Sequence, residues 1–87
     1  MDKILKLDIR WLSHPYNTLK VLQMLQGMEC EKVLEVILED GEPLHRVTEE
    51  VRKKGYKITQ TEKLQSSNTI SDYRIWIQKA GRTSSGD

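Results

Sequence analysis

The spacing of apolar residues switches twice along this chain from the period of a strand to the period of a helix, and this alternation restricts the fold more than any other feature. From Ile4 to Ile9, aliphatic residues alternate with polar ones, as in a strand with one buried face. From Pro15 to Gln26, apolar residues recur at helical spacing, and Gly27 suits the end of that helix. The chain is therefore predicted to begin with a strand followed by a helix.

The pattern then repeats and ends in two further strands. Lys32–Glu39 is a nearly continuous aliphatic run typical of a central strand, and helical spacing follows from Pro43 to Lys54. Tyr56–Leu64 and Ile70–Lys79 are strand-like again and are expected to form a hairpin. Because crossover connections are right-handed, the order βαβαββ predicts an α/β (α+β) two-layer sandwich, with a four-stranded mixed sheet and two helices on one face.

The length and composition fit one small soluble domain and argue against several classes of protein. We assign residues 1–79 to that domain and 80–87 to a flexible C-terminal tail. The 14 Lys and Arg residues nearly balance the 13 Asp and Glu residues, and a net charge of +1 disfavours nucleic-acid binding. No stretch is apolar for long enough to span a membrane, and the one cysteine, Cys30, cannot form an internal disulfide. We expect a cytoplasmic protein that does not associate with membranes.

The junction between the first strand and the first helix, residues 10–17, contains the candidate site. Pro15 suits the first helical position, where its missing N–H would have no partner, so His14 lies beside the unpaired N–H groups of the helix start. Trp11 and Tyr16 flank His14, and exposed aromatic side chains commonly anchor protein interfaces. The alternative is that Trp11 folds back onto the helix ends and fills space there.

Five residues of this stretch carry a resemblance to a known family. In chain order they are Leu7, Asp8, Arg10, Leu12 and Pro15. They resemble the signature Leu-Asp-x-Arg-Gly-Leu-x-Cys-Pro-x-Pro of the TusA/SirA-like family of small sulfur-carrier proteins. Further positions in similar order are Gly27, Leu34, Val36, the Glu39-Asp40 pair standing for the family's paired acids, and the Gly55-Tyr56 turn. Each of these residues is common, so the specificity of the resemblance comes from their joint order over about residues 5–79.

Three signature positions differ within this one loop. The family carries sulfur as a persulfide on the cysteine before the first proline, and the matching residue here is His14. Trp11 stands for the family's glycine and Asn17 for its second proline. Imidazole cannot hold a persulfide sulfur. The resemblance therefore implies a TusA-like domain that lacks the catalytic cysteine and acts as a non-catalytic protein-binding or regulatory module linked to sulfur-relay partners.

The predicted binding residues all belong to this loop and the helix start. They are Arg10, Trp11, His14, Pro15, Tyr16 and Asn17. Asp8 and Arg10 are expected to orient the loop. We expect no cofactor and no metal, and the sequence leaves the oligomeric state open.

Two chemical alternatives remain. Sulfur transfer by another route would need Cys30, which follows the first helix and precedes the second strand and is therefore expected at the opposite edge of the sheet from His14. Metal or catalytic chemistry would use His14, with His45 at the same sheet edge and Asp40 or Glu42 as a carboxylate ligand. No closely spaced pair of ligands supports such a site.

A third alternative uses the sheet face without helices. Arg74, Trp76 and Gln78 alternate with the apolar residues of the last strand and are expected on that face. A related topology occurs in the C-terminal domain of translation initiation factor three, which makes RNA binding a fold-level analogy. Neither the charge balance nor an aromatic RNA-binding motif supports it. Edge pairing or dimerisation is a more ordinary use of such a sheet.

Overall fold

The computed structural model describes residues 4–65 and 71–79 and confirms the predicted order of elements. These are β1 (Ile4–Asp8), α1 (Tyr16–Gly27), β2 (Val33–Glu39), α2 (Glu42–Lys53), β3 (Lys57–Gln65) and β4 (Ser71–Gln78). Every bound lies within one residue of the prediction. Pro15 precedes α1 and is not its first residue, because its backbone (φ −94°, ψ 4°) falls outside the helical region. The predicted tail, 80–87, lies outside the described residues.

The strands form one mixed sheet in the order β1-β2-β4-β3. β1 is parallel to β2, whereas β4 is antiparallel to both β2 and β3. The two crossovers, β1–α1–β2 and β2–α2–β3, therefore progress in the same direction across the sheet. Right-handed crossovers that progress in the same direction place both helices on the same face, and both helices contribute to the one core on that face, as predicted.

A single apolar core lies between the helices and this face. Val21 and Leu25 of α1 and Val47 and Val51 of α2 are fully buried in it. The sheet contributes alternate residues, which share one face because the period of a strand is two. These residues are Leu34, Val36 and Leu38 of β2 and Ile75 and Ile77 of β4, all fully buried.

β1 departs from the predicted burial pattern. Of its alternating aliphatic residues, Leu5 is 37% exposed and Leu7 is half-buried, and only Ile9, just past the end of the strand, is buried. The expectation of a fully buried face was therefore wrong for Leu5. β1 lies at the edge of the sheet with a neighbour on one side only, so α1 covers this strand incompletely.

Ion pairs and one aromatic side chain occupy the face without helices. Arg74 of β4 lies between Glu35 of β2, whose Oε2 is 3.2 Å from Arg74 Nε, and Glu62 of β3, whose Oε1 is 3.2 Å from Arg74 Nη1. The Glu62 contact is also a hydrogen bond, whereas Arg74 Nε is buried without an aligned acceptor. The same guanidinium lies 5.7 Å from the ring centroid of Trp76. Arg74 is thus already engaged by two carboxylates, which does not favour RNA binding on this face.

Candidate functional site

Backbone hydrogen bonds define the path of the chain from β1 into α1. Ile9 N donates to Ile37 O, which extends the pairing with β2 by one residue, and Leu12 N donates back to Ile9 O in a tight turn. The His14–Pro15 peptide is cis. Asn17 N then donates to Ser13 O, so the first turn of α1 is closed by a carbonyl of the loop.

Arg10 ties this loop to the sheet. Its Nη2 and Nε donate to Asp8 Oδ2 and Oδ1 at 2.7 and 3.0 Å, and its Nη1 donates to Asp72 Oδ2 at 3.0 Å. The Asp72 side chain, at the start of β4, is only 4% exposed, whereas the Asp8 and Arg10 side chains are about 40% exposed. Hydrogen bonding by the guanidinium lowers the pKa of Asp8, and both carboxylates raise the pKa of Arg10. The geometry supports the orienting role predicted for Asp8 and Arg10 and adds Asp72 to it.

A cleft of about 380 Å³ opens where the loop meets the start of α2. Trp11, His14 and Asn17 line one side, together with Arg10, Leu12 and Ser13, and the other side consists of Glu39, Glu42, Pro43 and Arg46. Both helices begin at this edge, because each follows the carboxyl end of one of two parallel strands. Arg46 Nη2 donates to Glu42 Oε2 at 3.1 Å. The cleft therefore combines aromatic, imidazole and paired charged groups.

The aromatic residues of the loop point into solvent. Trp11 is 80% exposed and Tyr16 is 64% exposed, and His14 and Pro15 between them are also exposed. The alternative in which Trp11 folds back and fills space is therefore wrong. Five of the six predicted binding residues are exposed together on one surface, and the sixth is Asn17.

Asn17 is buried, with 2% of its surface exposed. Its Oδ1 accepts a hydrogen bond from Thr18 N at 2.7 Å and lies 3.4 Å from Thr18 Oγ1. First-turn N–H groups have no partner within a helix, so this acceptor satisfies one of them. Asn17 borders the cleft but also supports the start of α1, a role that the sequence analysis did not predict.

The structure does not bring Cys30 or His45 into the cleft. Cys30 lies in the turn between α1 and β2, at the opposite end of the sheet from His14, as predicted, and is exposed. His45 is exposed on α2, with its Nε2 4.0 Å from Glu49 Oε1. Across residues 4–65 and 71–79, no three His, Cys, Asp or Glu side chains lie together as a metal site requires. None of the described helices is long and apolar enough to cross a membrane.

A comparison with known protein families identifies the family of this chain. The family model for the sulfurtransferase TusA matches residues 5–79. The chain belongs to the TusA family. No curated protein matches it. In this TusA-family domain the match covers all six elements apart from Ile4, the first residue of β1, and ends at the residue after β4.

Two features of the candidate site were not predicted from the sequence. Of the second wall, only Glu42 was considered as a site residue, as a possible metal ligand. Glu39 was detectable as well, since it ends a strand parallel to β1 and the carboxyl ends of parallel strands meet at one edge. Asp72 was not detectable, because its approach to Arg10 depends on the register of β4 against β2, in which Asp72 is opposite Glu39.

Proposed function

We propose that this TusA-family domain does not carry sulfur as a persulfide and instead binds a protein partner linked to sulfur relay, through the loop between β1 and α1. The observation that carries the proposal is the 80% exposure of Trp11 at the mouth of a cleft that His14 also lines. A large aromatic side chain held in solvent has no packing role in the monomer. Such residues are enriched among those that dominate binding energy at interfaces.

The position of the only thiol argues against sulfur carriage. Residue 14, which aligns with the family's acceptor cysteine by the Leu7–Pro15 signature, is a histidine. Cys30 lies at the other end of the sheet and cannot take its place in the cleft without a different fold. A single exposed thiol suits a reducing compartment, and we place the protein in the cytoplasm.

The loop is held in place by contacts on both sides, which favours a role in binding a partner. Arg10 is hydrogen-bonded to Asp8 and Asp72, and Asn17 is buried at the helix start, so Trp11 and His14 project from a segment that is fixed on both sides. A preorganised surface loses less conformational freedom on binding, which favours affinity. The mixed charges of Glu42 and Arg46 on the facing wall suit a partner with both polar and apolar contacts.

Sulfur carriage is tested by incubating the protein with a cysteine desulfurase and cysteine and measuring its intact mass. We expect no added sulfur on the wild-type chain. His14→Cys restores a thiol before Pro15 and should gain the mass of one sulfur atom. Cys30→Ser in the same background identifies the residue modified. A persulfide on Cys30 of the wild-type protein would overturn the proposal.

Partner binding is tested by affinity capture from the native cell, followed by quantification of the captured proteins. Trp11→Ala and His14→Ala should each reduce capture of the same partner. His45→Ala is the matched control for His14→Ala, because both histidines are exposed and only His14 lines the cleft. If all three variants capture the wild-type set of partners, the loop is not the interface.

A further inference from the structure

Within residues 4–65 and 71–79, the large apolar side chains that are exposed follow one edge of the sheet. In the part of the chain that the structure describes, the large hydrophobic residues that are exposed are Ile4, Leu5, Trp11, Tyr16 and Leu19. All five come from β1, the loop after it and the first turn of α1. Apolar surface gathered in one place indicates an interaction site, whereas scattered residues do not.

Two clefts follow this edge, one at each end of the space between β1 and α1. The first, of about 430 Å³, is lined by Leu7 and Asp8 of β1, by Tyr16, Leu19, Lys20 and Gln23 of α1, and by Trp11 and Leu12. The second, of about 370 Å³, lies between Leu5 and the last two turns of α1. α1 therefore covers β1 incompletely at both ends of the strand.

The backbone of β1 can accept another strand on its outer side. Ile9 N–H points to β2, where it donates to Ile37 O, so by the alternation of strands the N–H and C=O groups of Lys6 and Asp8 point away from the sheet. Such an edge pairs with a further strand unless something opposes it. The residues at the edge therefore decide which strand fits.

We infer that a second copy of this chain pairs antiparallel through β1, in the register that places Leu7 opposite Leu7 of the second copy. In this register Lys6 of each copy lies opposite Asp8 of the other, which gives two opposite-charge pairs on the face without helices. The two-fold axis passes between the Leu7 residues, so the same surface is used twice and the dimer is closed. This inference goes beyond the protein-binding role proposed for the loop.

The charge pattern selects this register. If the strands were centred on Lys6, each Lys6 would face the other, and like charges directly opposite destabilise a sheet. Centring on Leu5 would overlap only the first half of β1 and pair no charges. Asp8 already accepts from Arg10, but its side chain is 39% exposed, so an ammonium group can approach the carboxylate from the open side.

The dimer also explains the apolar edge. An antiparallel pair related by an axis perpendicular to the sheet brings the two α1 helices side by side on the same face. Tyr16 and Leu19, which line the cleft of about 430 Å³ between α1 and β1, would then be covered by the second copy. Burial of exposed apolar surface is the main favourable contribution to such an association.

The inference is tested by sedimentation velocity of the full chain from micromolar to millimolar concentration. The wild-type protein should show a concentration-dependent dimer. Lys6→Glu replaces both attractive pairs by repulsive ones and should raise the dissociation constant on the order of tenfold or more. Lys63→Glu makes the same charge change on an exposed residue of β3, the other edge strand, and should leave the dimer unchanged.

Disulfide trapping tests the register without relying on affinity. In the Cys30→Ser background, Leu7→Cys should form an intermolecular disulfide on mild oxidation. The backbone N–H and C=O groups of Leu7 point to β2, so the two Leu7 residues form a non-hydrogen-bonded pair across the dimer. Opposite residues of such a pair lie close enough for a disulfide. Lys6→Cys, which lies opposite Asp8 in this register, should not. A monomer at all concentrations, equal effects of Lys6→Glu and Lys63→Glu, or trapping at position 6 in place of position 7 would each overturn the inference. A monomer that instead binds a strand of another protein would do so as well. None of these outcomes decides the partner-binding test of the cleft beside His14, because Lys6, Leu7 and Lys63 do not line that cleft.

Discussion

Replacing Asn17 by alanine separates structural support from partner contact at the candidate site. Asn17 is 2% exposed, and its Oδ1 accepts from Thr18 N at 2.7 Å in the first turn of α1. Loss of a side-chain acceptor at a helix start costs about 1 kcal/mol. Thr18 is itself only 6% exposed, so its N–H cannot readily turn to water, and the shortened side chain leaves a small void. We expect Asn17→Ala to lower the free energy of unfolding by about 1–2.5 kcal/mol.

Urea unfolding followed by circular dichroism measures this change, and thermal unfolding gives a second reading. For a domain of this size the expected loss corresponds to roughly 5–15 °C in Tm. Ser13→Ala is the matched control from the same loop. Ser13 is exposed and contributes its backbone carbonyl, which accepts from Asn17 N and which alanine retains. Its unfolding free energy should stay within about 0.5 kcal/mol of the wild type.

The two measurements together decide the role of Asn17. If Asn17→Ala were as stable as Ser13→Ala while partner capture fell, the residue would be a contact residue and our reading of its burial would be refuted. If stability falls and capture at a temperature well below Tm is retained, Asn17 supports the helix start only. In that case the contact surface is limited to the exposed residues of the loop.

Three further predictions follow from the contacts of the sheet and the helices. Lys79 donates from Nζ to two carbonyls at the end of α1 at 2.9 and 2.7 Å. Lys79→Met should therefore lower the free energy of unfolding, measured by urea titration, by about 1–2 kcal/mol. Lys54→Met, an exposed control at the end of α2, should change it by less than about 0.5 kcal/mol. Because Arg10 lowers the pKa of Asp8 in the folded protein, the Asp8 carboxylate is protonated at a higher pH in the unfolded chain than in the folded one. The contribution of Asp8 to folding stability is therefore complete above about pH 4 and is lost as the pH falls through the folded pKa. Arg10→Gln should move the NMR titration of Asp8 towards higher pH, with a small effect on stability because the Asp8 side chain is 39% exposed. Leu25→Ala in the fully buried core should cost about 2–5 kcal/mol, and an equal stability of this variant and the wild type would contradict the position of α1 over the sheet.

The sequence predicted the elements but not the directions of individual loop side chains. The period of apolar residues is a property of each segment alone, which explains why every bound lies within one residue of the prediction. The exposure of Leu5 depends on the order of the strands, because only an edge strand is left partly uncovered. Trp11 could point inwards or outwards on sequence grounds, and its 80% exposure follows from the turn closed by Leu12 N and Ile9 O. Asp72 lies beside Arg10 because of the register of β4 against β2, two strands that are far apart in the sequence.

Two of the three positions at which the signature differs, Trp11 and His14, are not among the side-chain contacts described for the loop, whereas the third, Asn17, supports the start of α1. The hydrogen bonds of Arg10 with Asp8 and Asp72 depend on residues that the signature shares or that lie on β4, whereas Trp11 and His14 are exposed. Side chains in solvent can be exchanged at little cost to folding, so the chemistry of this loop can change while its path is retained. His14→Cys should therefore leave the unfolding free energy within about 0.5 kcal/mol of the wild type while altering what the loop can bind or carry. A large loss of stability in that variant would show that His14 is part of the support of the loop, and the separation of scaffold from function argued for this TusA-family domain would fail.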